Sequence, residues 1–139
     1  MPPLEDRGLA FASARRHHAH MSNAKTYAGS CHCGKVTYDV SIDLGHVIAC
    51  NCSICGRTGS LMAFVPAASF RLRSGEHEQT DYQFNTKNVH HLFCTTCGVR
   101  SFGRGTGKDG AEMCMINVRC LEGVDLKDLS VTEVDGRSR

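Results

Sequence analysis

The sequence has no tryptophan, only three prolines, and aromatic residues make up 6% of its 139 positions. The longest uncharged apolar run, Leu61 to Phe70, is far shorter than the roughly 20 residues that a membrane-spanning helix needs. A hydrophobic share of 41% and a charged share of 22% exclude a disordered composition. The length therefore predicts one soluble domain whose aliphatic and aromatic core is thin.

Cysteine is the residue that the sequence has in excess. There are nine: Cys31, Cys33, Cys50, Cys52, Cys55, Cys94, Cys97, Cys114 and Cys120. An odd number fits a closed set of disulfides poorly, and no secretory signal is visible, since Leu9 to Ala14 is only a weak apolar patch. We therefore expect a cytoplasmic, reducing location, where clustered cysteines bind metal more often than each other.

The spacing of the cysteines supports metal binding. Residues 31–33 and 50–52 are C-x-C pairs, and in a strand residues i and i+2 point to the same face. Residues 52–56 and 94–98 are C-x-x-C-G turns, in which two sulfurs face one point and glycine lets backbone N–H groups approach them. Four such motifs in one short chain predict two metal sites.

Seven cysteines divide naturally into four and three. Three are so close in sequence that they must share an ion: Cys50, Cys52 and Cys55. The others are left for a closed tetrahedral site: Cys31, Cys33, Cys94 and Cys97. Four thiolates close a structural Zn²⁺ site, whereas three leave the open position that is typical of catalytic zinc. Thiolate ligands favour zinc, although iron would also accept four of them.

The alternative for the three-cysteine group is a second structural zinc that takes its fourth ligand from elsewhere. The candidates are His46, His90, His91, Cys114 and Cys120. The two cysteines among them are otherwise explained as small buried apolar residues.

The charge balance argues against a nucleic-acid partner. The formal net charge is +2, and seven thiolates with two Zn²⁺ ions would change it to −1. The only basic tract, Arg15 to His20, lies in the N-terminal segment. We expect residues 1–24 to be a disordered tail, with Met21 as an alternative start.

Short alternating patterns predict an all-β fold of about eight strands. Val36, Tyr38, Val40 and Ile42 occupy every second position, as in a half-buried strand. Further strands are predicted at 46–49, 61–65, 70–73, 82–84, 89–93 and 111–118. A loose loop is expected over Gly103, Gly105, Gly107 and Gly110, and a short helix over Leu121 to Leu129.

The order of these motifs resembles the glutathione-dependent formaldehyde-activating enzyme family, which also includes the domain of centromere protein V. The resemblance rests on GSCHCG at 29–34, CNCSIC at 50–55 and FCTTCG at 93–98, and it covers residues 25–137. It implies a zinc-binding domain folded as an antiparallel β-tent. It also implies that the four-cysteine site is structural and the three-cysteine site is functional.

The resemblance further implies a carbon–sulfur lyase that joins formaldehyde, or a related aldehyde, to the thiol of glutathione. An open zinc position would hold that thiol as the nucleophilic thiolate. Arg57, Lys87 and Arg100 are candidates to bind a glutathione carboxylate, or else they are solvated surface charges. The position after Cys55, often basic in relatives, is Gly56 here.

A non-catalytic zinc module that binds a protein partner is the alternative function. A fourth zinc position filled by a side chain of the protein itself would favour it. Three thiolates give the zinc site a net charge of −1, which favours thiol exchange over the activation of water.

Overall fold

The computed structural model describes residues 23–138, so nearly all of the predicted tail at 1–24 lies outside the described residues. The described chain is all-β, which confirms the expected fold class. Its strands are β1 (Lys25–Ser30), β2 (Thr37–Ile42), β3 (Val47–Cys50), β4 (Met62–Pro66), β5 (Phe70–Ser74), β6 (Gln79–Tyr82), β7 (His90–Cys94), β8 (Phe102–Thr106), β9 (Glu112–Asn117) and β10 (Val131–Val134). One helical turn, α1 (Cys55–Thr58), follows β3. Within residues 23–138, no helix has the length and apolar content to cross a bilayer.

The strands form two sheets. The smaller sheet has the order β1-β2-β5, and the larger has the order β10-β3-β4-β9-β8-β7-β6. The paired strands are antiparallel except β10, which runs parallel to β3. The parallel pairing brings the end of the chain beside the end of β3, where the three-cysteine group begins.

Strand β2 carries much of the core. Its alternating residues from Val36 to Ile42 are buried, as the sequence predicts. The prediction of a half-exposed strand is wrong, because Asp39 and Ser41 on the opposite face are buried as well. Strand β2 lies between β1 and β5, and the Asp39 carboxylate accepts a hydrogen bond from Arg73 Nη1 at 2.9 Å.

Three aromatic rings join the two sheets. Tyr38 of β2 and Phe70 of β5 come from the smaller sheet, and Phe102 of β8 comes from the larger one. Their ring centroids are 4.5 to 5.5 Å apart. Aromatic pairs at such distances contribute beyond their buried area. In a chain with few aromatics, this cluster holds the sheets together at one place.

We expect Tyr38→Phe to lower the free energy of unfolding by about 1 kcal/mol. The buried Tyr38 hydroxyl donates to the Ser101 carbonyl oxygen at 3.1 Å, and the change would remove this hydrogen bond. The same oxygen keeps its bond from Asn117 N at 3.1 Å, so no acceptor is left unpaired. Urea unfolding followed by circular dichroism measures the effect. Tyr27→Phe, in the half-buried tyrosine of β1, is the matched control and should leave the midpoint unchanged.

The predicted glycine loop is wrong in its first half. Gly103 and Gly105 lie inside strand β8. A Cβ at Gly103 would come within 2.9 Å of the His90 carbonyl oxygen and 3.1 Å of Met115 Cε. The glycine pattern therefore reflects close packing against both neighbouring strands. Only Gly107 and Gly110 lie in the turn that joins β8 to β9.

The predicted helix over Leu121 to Leu129 is also wrong. Within this range the chain forms only the 3₁₀ turn Leu126–Asp128, and a second 3₁₀ turn, Val118–Cys120, precedes the range. Gly123 adopts φ of +78°, which interrupts a helix between them. The predicted strand at 82–84 is displaced, because β6 ends at Tyr82.

Candidate functional site

Two turns of the same design present the four-cysteine group. The turns Cys31–Val36 and Cys94–Val99 are each closed by a hydrogen bond of 3.0 Å from the first N–H to the last carbonyl oxygen. Gly34 and Gly98 adopt φ of +86° and +79°, a conformation that glycine reaches without strain. This need explains why each turn carries glycine directly after its second cysteine.

The four sulfurs of these turns converge on one point. The group is Cys31, Cys33, Cys94 and Cys97, with ligand atoms within 4.8 Å of one another. The Sγ of Cys33 lies 3.7 Å from that of Cys31 and 3.6 Å from that of Cys94. Sulfurs placed tetrahedrally about 2.3 Å from a zinc ion would be about 3.8 Å apart. The group therefore fits a tetrahedral metal ion.

Backbone N–H groups point at these sulfurs. Val36 N donates to Cys31 Sγ at 3.3 Å, and Cys97 N donates to Cys94 Sγ at 3.4 Å. The N–H of Val99 lowers the pKa of the Cys97 thiol to about 6 against the effect of burial. Because N–H donors stabilise negative charge on sulfur, the turns favour the thiolate form that metals bind.

The three-cysteine group lies where β3 ends and α1 begins. Its members are Cys50, Cys52 and Cys55, whose sulfurs also lie within 4.8 Å of one another. Cys52 N donates to Cys50 Sγ and Cys55 N donates to Cys52 Sγ, each at 3.4 Å. Burial raises the pKa of the Cys55 thiol to about 11. Burial also raises the pKa of the Cys52 thiol. The hydrogen bond from the N–H of Cys55 and the other hydrogen bonds to Cys52 outweigh this effect, so the pKa is lowered overall.

Among the described residues, this group contains no fourth ligand from the protein. None of the five candidates joins it: His46, His90, His91, Cys114 and Cys120. Cys114 is buried in the core, and His90 Nδ1 lies 2.7 Å from the Asp81 carboxylate. His91 Nδ1 lies 3.0 Å from Arg100 Nη2. An ion held by the three thiolates would therefore have room for an external ligand.

The end of the chain closes over the three-cysteine group. Asn51 N donates to the Val134 carbonyl oxygen at 3.2 Å, and Arg137 N donates to Asn51 Oδ1 at 2.9 Å. Between them, Gly136 packs against Cys50 Sγ so closely that a Cβ there would overlap the sulfur. Sequence reasoning from the residues missed this packing, because the two segments lie far apart in the chain.

We expect Gly136→Ala to weaken metal binding by the three-cysteine group while the fold is retained. The added methyl would displace Cys50 Sγ and lie 3.1 Å from Cys52 Cβ. Metal analysis of the purified protein should show one ion lost. Gly56→Ala is the matched control, because a Cβ there meets nothing closer than the Asn51 carbonyl oxygen at 3.6 Å. Full metal content in Gly136→Ala would show that the close packing does not matter.

One face of the larger sheet, turned away from the core, adjoins this group. Aligned residues of adjacent strands form what we call the outer row: Tyr82, His91, Gly103, Met115 and Phe64. The residues one step away, including Phe102 and Ile116, point into the core. Phe64 and Tyr82 at the ends of the row are exposed. The outer row is thus a largely apolar floor that is exposed at its two ends and covered at His91 and Gly103.

Arg100 lies on this floor and is only 8% exposed. Its Nη2 donates to His91 Nδ1 at 3.0 Å, and its carbonyl oxygen accepts from Asn117 Nδ2 at 3.0 Å. Burial raises the pKa of the Cys55 thiol, and the positive charge of Arg100 opposes this effect. Burial and the same charge lower the pKa of His91, which favours the neutral imidazole. Arg100 therefore links the outer row to the three-cysteine group.

A cavity of about 290 Å³ opens beside the same group. Its lining residues are Ser53, Ile54, Arg57, Tyr82 and Phe84. Ser53 and Ile54 are the two residues between Cys52 and Cys55. The Phe84 ring stacks on the His91 ring with centroids 5.2 Å apart. The cavity and the outer row therefore meet at the aromatic pair of Phe84 and His91.

Comparison with known proteins gives the family. The profile described as "Glutathione-dependent formaldehyde-activating enzyme" matches residues 26–131. The chain belongs to this family. The match confirms the resemblance carried by the cysteine motifs. A crystal structure of a Rhodobacter sphaeroides protein, a structural-genomics target, is 34% identical, with a TM-score of 0.69. The likeness covers 77% of this chain and 99% of that one.

In this member of the formaldehyde-activating family, the three basic candidates occupy different environments. Arg100 is buried, so the alternative of a solvated surface charge does not apply to it. Arg57 is exposed, lines the cavity and donates to the Ser53 carbonyl oxygen at 2.8 Å. Lys87 is exposed in the turn after Phe84, with φ of +61°. Of the three, Arg57 and Arg100 adjoin the three-cysteine group.

Proposed function

We propose that this chain adds the thiol of glutathione to formaldehyde or a related aldehyde, as a zinc-dependent carbon–sulfur lyase of the S-(hydroxymethyl)glutathione synthase type. The observation that carries the proposal is the three-cysteine group, which has no fourth ligand from the described residues and borders a cavity. Family membership supports the same chemistry. We further propose a cytoplasmic location, where glutathione is abundant and thiols stay reduced.

The donor atoms support zinc at both groups, giving two ions per chain. Both groups offer only thiolates, which favour zinc, and the sulfur spacing of the four-cysteine group fits its tetrahedral radius. We propose that the four-cysteine ion is structural. When bound at the three-cysteine group, zinc supplies a position at which a thiol is held in its ionised form.

The surrounding side chains suit a thiol tripeptide. The rings of Tyr82 and Phe84 give the cavity an apolar wall beside the three-cysteine segment. Arg57 at the same cavity is exposed and can bind a glutathione carboxylate through two parallel N–H bonds. Lys87 and Arg100 remain candidates for the same role, although only Arg57 lines the cavity.

The decisive assay mixes formaldehyde and glutathione and follows the adduct by proton NMR, with and without the zinc-loaded protein. Wild type should exceed the uncatalysed rate, and Cys52→Ser should not. Cys120→Ala is the matched control, since Cys120 lies outside both cysteine groups and should keep the wild-type rate. A wild-type rate equal to the uncatalysed one would reject the enzyme and favour the binding module.

A further inference from the structure

Arg100 is a buried cation with two side-chain nitrogen atoms that lack a hydrogen-bond partner. No carboxylate of the described residues pairs with it, and its Nε and Nη1 atoms have no hydrogen-bond partner. A guanidinium does not lose its proton in a protein, so the buried charge is permanent. The three-cysteine group supplies negative charge nearby, but it forms no hydrogen bond with Nε or Nη1. Because buried N–H groups without a hydrogen-bond partner are costly, the arrangement indicates that a ligand completes their hydrogen bonding.

The guanidinium lies near the site that the proposed function requires, because it bonds His91, whose ring stacks on Phe84. Phe84 lines the cavity together with Ser53 and Ile54 of the three-cysteine segment. The guanidinium acts electrostatically on Cys55, a member of the three-cysteine group. It lies over Gly103 of the outer row, where a Cβ would come within 3.8 Å of Nη2. That distance is an ordinary van der Waals contact, so the guanidinium packs directly on strand β8 at this position.

His91 fixes the orientation of Arg100. The Nη2 to Nδ1 hydrogen bond of 3.0 Å uses one edge of the guanidinium, and Phe84 stacks on the imidazole. The side-chain amide of Asn117, at the end of β9, donates a hydrogen bond to the Arg100 carbonyl oxygen and holds the backbone there. The remaining N–H groups are therefore held in place before any ligand arrives, which is the condition for stabilising charge that develops during a reaction.

We propose that Arg100 is a catalytic residue that binds the aldehyde oxygen and stabilises the negative charge that forms on it, an inference that rests on the proposed function. The thiolate sulfur donates an electron pair to the carbonyl carbon, forming the C–S bond. The carbonyl π pair moves onto oxygen, facing Arg100. That oxygen then takes up, through water, the proton that the thiol released. Thiol and aldehyde are thus the only reactants.

This role differs from binding a glutathione carboxylate. A carboxylate contact acts through the recognition of glutathione, so it disappears when the thiol carries no carboxylate. A contact to the aldehyde oxygen persists with any thiol, because the same oxygen gains charge each time. Glutathione and the carboxylate-free thiol 2-mercaptoethanol therefore separate the two roles.

The test compares Arg100→Gln, Arg57→Gln and Lys108→Gln with wild type, using both thiols and formaldehyde. Arg100→Gln should lower kcat about a hundredfold with either thiol while zinc content stays at the wild-type level. Arg57→Gln should raise KM for glutathione alone. Lys108→Gln removes an exposed charge of the β8–β9 turn and should change nothing. Arg100→Lys keeps the charge without the planar fork and should lower kcat about tenfold, which provides a second variant if Arg100→Gln does not fold.

A readout independent of turnover uses sodium formate, a one-carbon oxyanion, titrated calorimetrically into the wild-type protein and the arginine variants. Formate should bind to wild type and Lys108→Gln but not to Arg100→Gln. Three results would overturn the inference: no formate binding to wild type, a kcat defect in Arg100→Gln that vanishes with 2-mercaptoethanol, or loss of one zinc in that variant. If wild type itself shows no catalysis, the proposed function fails and the inference fails with it.

Discussion

Cys94→Ser is expected to unfold the protein. Cys94 ends strand β7, and its sulfur lies 3.6 Å from that of Cys33, which is 61 residues away in the chain. A metal ion held by the four-cysteine group therefore fastens the turn before β2 to the turn before β8. A structural zinc ion contributes roughly 10 kcal/mol or more to apparent folding free energy in small domains. The net stability of a whole domain is only about 5–15 kcal/mol.

Far-ultraviolet circular dichroism and size-exclusion chromatography of Cys94→Ser should show lost strand signal or aggregation. Cys114→Ala is the matched control, since this cysteine is equally buried but lies outside both metal groups. It should cost about 1–2 kcal/mol, as expected for the loss of one buried sulfur. A Cys94→Ser protein that stays folded with the wild-type urea midpoint would show that the four-cysteine ion does not hold the sheets together.

Cys52→Ser is expected to abolish catalysis while the fold is retained. Cys52 lies between β3 and α1 and is only half-buried, and its sulfur accepts a hydrogen bond from the backbone N–H of Cys55. The aromatic cluster of Tyr38, Phe70 and Phe102 lies in the core between the sheets and does not depend on this group. Losing one of three thiolates should therefore release one zinc ion with little loss of structure.

Metal analysis of Cys52→Ser should find one zinc ion per chain in a protein whose circular dichroism matches wild type. Its rate with formaldehyde and glutathione should equal the uncatalysed rate. A variant that keeps its second zinc and its rate would exclude the three-cysteine group as the reaction site. Global unfolding would instead assign this group the structural role that we give to the other.

The cysteine groups could be predicted from the sequence because ligand spacing is a local property. C-x-C and C-x-x-C-G place their sulfurs through bonds only two or three residues long, so the turns at Cys31 and Cys94 follow from the motif. The alternation of apolar residues likewise predicts strand β2. The sequence does not predict that β2 is buried on both faces, because this burial depends on the neighbouring strands β1 and β5.

The remaining features depend on contacts between distant segments. From the sequence alone, Gly103 is typical of a loop. Its place in strand β8 becomes clear only with the neighbouring strands, because a side chain there would crowd Met115. Gly136 meets Cys50 only because β10 returns parallel to β3. Arg100 was one of three basic candidates, and its burial and bond to His91 become visible only in the folded chain.

The most direct test of two metal groups, one closed and one open, is ¹¹³Cd NMR of the cadmium-substituted protein. Each cysteine group should give its own resonance, two in all with equal areas. Glutathione should shift the resonance of the three-cysteine group and leave the other in place, because only that ion has a position for an incoming sulfur. A single resonance, or two that both ignore glutathione, would contradict the account.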